Sequence, residues 1–132
     1  MILPITVGLV SGVAIILAMK TAGMLSERSG LAVLVGAIAL FYPVFAVAGG
    51  APISSILLHG AIFLGFAILA LIGFRTGVGL LSALLIAHGI FDIVAHVVGH
   101  PAPEWWPAFC AALDISAGGL LLYLSKPEGA AK

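Results

Sequence analysis

The chain has 132 residues, of which 63% are hydrophobic and 8% charged, with a net charge of zero. Soluble domains average about 45–50% apolar and 25% charged residues, so this composition, with a mean hydropathy of +1.32, is that of an integral membrane protein. One domain is the default at this length, no basic arm or patch points to nucleic acid, and a single cysteine excludes an internal disulfide.

Five apolar runs follow one another, separated by short breaks. The N-terminus, Met1-Ile-Leu-Pro-Ile, has no basic region and no clear cleavage site, and reads as the start of a span instead of a signal peptide. Segment A, about 3–25, ends at Ser26-Glu27-Arg28-Ser29-Gly30. Segment B, about 31–48, ends at Gly49-Gly50-Ala51-Pro52, and Pro43 within it is a kink position. Segment C, about 53–74, is closed by Arg75-Thr76-Gly77. Segment D, about 77–99, ends at Gly99-His100-Pro101-Ala102-Pro103, and segment E, about 104–125, leads into Ser125-Lys126-Pro127-Glu128. Each run approaches the ~20 residues that cross ~30 Å of hydrocarbon. Continuous apolarity without period-two alternation favours helices over barrel strands. The expected fold is therefore an all-α membrane bundle of five transmembrane helices over residues 1–132. Four spans with a re-entrant second segment is the alternative.

Charge tests the span count independently. With five spans, Lys20, Arg28, Arg75, Lys126 and Lys132 all fall on one side, while 49–52 and 99–104 contain no Lys or Arg. The positive-inside rule then puts the N-terminus out and the C-terminus in. Trp105 and Trp106 are placed at the outer interface, where amphipathic rings settle as anchors. The pair Gly8 and Gly12 would let segment A approach another helix closely, within the chain or in a dimer.

Polar residues concentrate between His88 and Asp114. The sequence reads His88-x3-Asp92-x3-His96-x3-His100, then a Pro/Trp turn and Cys110-x3-Asp114. A four-residue step overshoots a full turn by about 40°, so successive members share a face. Counting back from His100 at ~1.5 Å per residue puts His96 ~6 Å, Asp92 ~12 Å and His88 ~18 Å below the outer end. Cys110 and Asp114 on segment E lie ~9 and ~15 Å deep, and His59 on segment C ~9 Å, by the same rise. These residues share the outer half of the bundle.

Carboxylates and imidazoles together form a ligand set for a divalent transition metal, zinc or iron above all. The expected ligands are His59, His88, Asp92, His96 and Asp114. His88 and His96, ~12 Å apart along the axis, cannot share one ion with Asp92. A mononuclear site would take two residues of segment D and add Asp114 or His59; a dinuclear one could use Asp92 as its bridge. Asp92 and Asp114 should be buried, facing each other and His59 or His96. The Ser55 hydroxyl, one turn from His59, is a supporting contact. Cys110 reads as a buried small apolar residue, with thiolate ligation the alternative. His100 reads as solvated and Glu104 as a complement to the dipole of the last helix.

The ordered motif His88-x3-Asp92-x3-His96, a Pro-bearing turn and Cys110-x3-Asp114 resembles a family of small bacterial integral-membrane proteins of unassigned function. That resemblance covers most of the chain and implies a compact bundle in a bacterial inner membrane. Ser55-x3-His59 and His96-x3-His100 are also similar to motifs of the membrane hydrolases that include alkaline ceramidases and adiponectin receptors, which have seven spans and a different motif order.

Function classes follow from the cluster. The first is a metal-binding membrane protein, with a metalloenzyme acting on a lipophilic substrate as its catalytic form. The second is a proton or cation relay along the four-residue ladder. An accessory subunit of a larger membrane complex is a further alternative, and a haem b between His59 and a histidine of segment D ranks below the others. Membrane lipids are the expected partners, with homo-oligomer and larger complex both open.

Overall fold

Hydrocarbon offers no hydrogen-bond partner to a backbone N–H or C=O, so an apolar run closes its bonds within a helix. The computed structural model describes residues 1–125, and these contain six helices and no strand. They are α1 (Ile2–Thr21), α2 (Met24–Glu27), α3 (Ser29–Ala48), α4 (Ile53–Thr76), α5 (Val78–Val98) and α6 (Trp106–Leu124). All but α2 are long and apolar enough to cross a membrane. The re-entrant alternative fails at α3, a continuous 20-residue helix with Pro43 inside it. Segment A is shorter than expected: α1 ends at Thr21 and one further turn, α2, precedes α3. Lys126 and Lys132 lie outside the described residues.

The buried faces follow alternating steps of four and three residues. On α5 the series is Leu81, Leu85, His88, Asp92 and Ala95. On α6 it is Pro107, Cys110, Asp114, Ala117 and Leu121, and on α3 it is Val35, Ala39, Tyr42 and Ala46. A seven-residue period keeps one narrow stripe facing the neighbours. α6 packs between α5 and α1, α3 pairs with α4, and both α3 and α4 touch α5.

Glycines set the close approaches around α6. A methyl at Gly8 or Gly12 would run into the carbonyl oxygens of Phe109 and Leu113. The small-residue pair of α1 thus serves packing within the chain. At Gly89 an added Cβ would stand 3.1 Å from the Ala111 carbonyl oxygen and 3.2 Å from the Asp114 Cβ. α5 and α6 therefore meet at the level of the aspartates.

The bundle divides along its axis. Toward the end carrying Lys20, Arg28 and Arg75, the interior is filled by Ile16, Leu31, Leu81, Leu85 and Leu121. Toward the end formed by 49–52 and 99–105, the buried residues include Tyr42, His59, His88, Asp92 and Asp114. The outward faces of α1 and α4 are apolar, with Ile2, Leu9, Leu57, Leu64 and Leu71 exposed. Such faces are suited to lipid contact.

Candidate metal centre

α5 and α6 bring four potential ligands together. One donor atom from each of His88, Asp92, Cys110 and Asp114 lies within 4.8 Å of every other, and all four residues are buried. The His88 Nδ1 lies 2.7 Å from Asp114 Oδ2 and 3.3 Å from Asp92 Oδ2. The shorter contact is the hydrogen bond, and the longer one leaves Asp92 Oδ2 without a hydrogen-bond partner among the described residues. The Cys110 thiol donates to the same Asp114 oxygen at 3.8 Å. Both oxygens of Asp92 and the Oδ1 of Asp114 have no hydrogen-bond partner among the described residues, and neither has the Tyr42 hydroxyl. The two aspartates are 0% exposed.

Aromatic rings enclose the imidazole of His88. Phe66 and Tyr42 meet it edge-on at 5.1 and 6.4 Å between centroids, and Phe91 lies tilted against it at 5.8 Å. They exclude water from the ring and raise the cost of any uncompensated charge there. The chain matches no protein-family model, no curated protein and no solved structure. What the arrangement does must be argued from its chemistry.

The other sequence-selected residues fall elsewhere. His59 is buried one layer toward the 99–105 loop, with the Tyr42 ring stacked on it at 5.8 Å. Its Nδ1 donates to the Ser55 carbonyl at 2.7 Å. The Ser55 hydroxyl, the contact expected from the sequence, is farther off at 3.4 Å. With Nδ1 so occupied, the His59 Nε2 lone pair accepts the Nδ1–H of His100 at 2.7 Å. His100 is therefore half-buried and bonded, in contrast to the solvated residue that its place in the turn suggests. Burial is the main reason its pKa is lowered, and the nearby His59 adds to the effect. Gly99 makes this possible: its φ of 78° ends α5 and turns the chain toward α4.

His96 is exposed and lines an apolar groove of about 340 Å³ with Met1, Ile5, Ile93 and Ile115. It stands apart from the four-ligand group, and the aspartates face His88, not His59 or His96 as the ladder suggested. Glu104 is exposed, and α6 starts at its Trp105 N-cap with no side-chain capping bond. A haem between His59 and His88 would have to displace Tyr42, whose ring lies 5.8 Å from the first imidazole and 6.4 Å from the second.

Sequence reasoning passed over Tyr42 and weighed Cys110 as an apolar filler. A signal for both existed. Each lies on the four-three stripe of its own helix, in register with buried residues one and two turns away.

Proposed function

We propose that this chain is a metal-binding membrane protein holding one divalent transition ion, zinc or iron, through His88, Asp92 and Asp114, with Cys110 in the fourth position. The observation that carries the reading is the pair of fully buried aspartates, with three carboxylate oxygens lacking a hydrogen-bond partner among the described residues, around a single imidazole nitrogen. An aspartate at a helix centre costs about 2.5–3.5 kcal/mol even on the milder insertion scale, unless an ion, proton or partner compensates it. A divalent cation neutralises two carboxylates at once, and a neutral imidazole adds no charge. Tetrahedral sites with metal–ligand distances of ~2.0–2.3 Å have donors separated by ~3.3–3.8 Å. A spread of no more than 4.8 Å is thus near the required size. Net neutrality is reached with Cys110 still a thiol, which makes it the weakest of the four. Catalysis on a lipophilic substrate would need an open coordination position, and the place of Cys110 is the one this set offers.

A proton-binding reading rests on a different observation: the 2.7 Å His88–Asp114 contact has a length that one proton bridges. In that case the aspartates and His88 form a buried relay. Location in a bacterial inner membrane, with 49–52 and 99–105 outside, belongs to either reading. So does kinship with the small bacterial membrane proteins that the His88–Asp114 motif resembles. The grouping of Lys20, Arg28 and Arg75 at one end supports the orientation.

Elemental analysis of protein purified without added metal separates the two. The metal reading expects about one equivalent of ion in the wild type, most of it lost in Asp92→Asn, which keeps the shape but not the charge, and retained in His96→Gln. Metal-free wild type with a proton flux that Asp92→Asn abolishes would establish the relay instead.

A further inference from the structure

The pair His59–His100 lies outside the four-ligand group, at the mouth of the bundle. It opens onto a cavity of about 310 Å³ lined by Ser54, Ser55, Leu58, Gly99 and Pro101. We propose that His59 Nε2 and His100 Nδ1 form a second, solvent-facing site that takes a borderline transition-metal cation such as zinc, with water completing the coordination.

The orientation of His59 is the first support. A metal-binding histidine usually donates its other ring N–H to a carbonyl or carboxylate, which fixes the tautomer and raises the basicity of the ligating nitrogen. His59 has this arrangement already: Nδ1 is bonded to the Ser55 carbonyl, and Nε2 directs its lone pair at His100, with both residues lining the cavity. Stacking against Tyr42 holds the ring plane, with an interplanar angle of 9°.

The second support is that the partner nitrogen is already in place and able to move. The two nitrogens are 2.7 Å apart with a proton between them. Two ligands on one ion stand ~3.3 Å apart at tetrahedral geometry, so the ion must displace that proton and widen the pair by ~0.6 Å. His100 can yield because it is half-buried and sits in the turn after Gly99, while His59 stays fixed on α4. The Nδ1 proton of His100 moves to its Nε2 through solvent. The imidazole stays neutral, and no net proton is released. Both ligands being uncharged, the site holds its ion more weakly than the dicarboxylate site and exchanges it with the outer solution.

The test counts ions in purified full-length protein after equilibration with excess Zn2+, before and after a brief exposure to EDTA. In the wild type, EDTA removes one equivalent quickly. His100→Gln lacks that equivalent or binds it at least ~10-fold more weakly, since removing a ligand costs no less than the 10–100-fold typical of losing an orienting partner. Cu2+ paramagnetic resonance supplies a second readout: the EDTA-labile ion shows two coupled nitrogens in the wild type, a count independent of any variant's stability, and one in His100→Gln. An EDTA-labile equivalent of equal affinity in His100→Gln, or an unchanged nitrogen count, would overturn the outer site. The buried site is judged separately by Asp92→Asn. That variant should keep the labile ion even if it loses the other, and a fault in the buried-site reading would leave the His100→Gln comparison intact.

Discussion

Asp92 and His96 are one helical turn apart on α5, yet Asp92 is fully buried and His96 is exposed. From His88, the step to Asp92 rotates the side chain by about 40° and the step to His96 by roughly 80°. The seven-residue step to Ala95 returns to within ~20° of His88, and Ala95 is the residue buried there. His100 escapes this geometry because the helix has ended before it. Its surroundings favour the neutral ring, first through burial and then through His59, and this has a measurable sign. The metal-free protein should show a His100 imidazole resonance titrating with a midpoint below the reference ~6.5. In the window below that reference the unfolded chain binds more protons at this position than the folded one, so stability falls as pH is lowered through it. A midpoint at or above the reference would contradict the buried, bonded His100.

Among elements, α5 and α6 carry the site, and their separation is set by glycine. Gly89 admits the Ala111 carbonyl and the Asp114 Cβ against the α5 backbone. Gly89→Ala should force the helices apart and cost about 1–3 kcal/mol, as overpacking does. Because the strain falls at Asp114, bound metal should decrease with it. Gly36→Ala is the matched control: a Cβ there meets nothing within 4 Å, and alanine improves helix propensity by up to ~1 kcal/mol. Thermal unfolding in detergent, followed by circular dichroism, checks both. A Gly89→Ala protein as stable as Gly36→Ala would remove the close α5–α6 contact.

At the scale of the whole molecule, polar interior groups gather toward one end and apolar ones toward the other. Below the aspartates the core is Leu81, Leu85, Leu121 and their neighbours. Ser82 is buried among them with its hydroxyl returned to the Val78 carbonyl. A continuous polar path through the bundle is therefore absent among the described residues, and a relay would open toward the 99–105 end. The positive-inside rule leads us to propose that this end faces outward. A reporter fused after the C-terminus should be active only in the cytoplasmic compartment, and one inserted at Gly49-Gly50 only outside it. The reverse pattern would invert the orientation and leave the metal chemistry untouched.

Spans and their number were legible in the sequence because hydrocarbon imposes a length of apolar helix that local composition must satisfy, as 31–48 and 53–74 do. The cost of intramembrane charge likewise marks Asp92 and Asp114 by residue type and position alone. Which histidine joined them was not legible from four-residue spacing, since that spacing drifts around the helix and carried His96 out to the apolar groove. The pairing of His59 with His100 depends on a turn at Gly99 and on a neighbour from another helix. Tyr42 and Cys110 entered the site because α3 and α6 present their four-three stripes to α5. Composition decides that a residue must be buried or paired; only the packing of helices, set where glycine lets backbones touch, decides with whom.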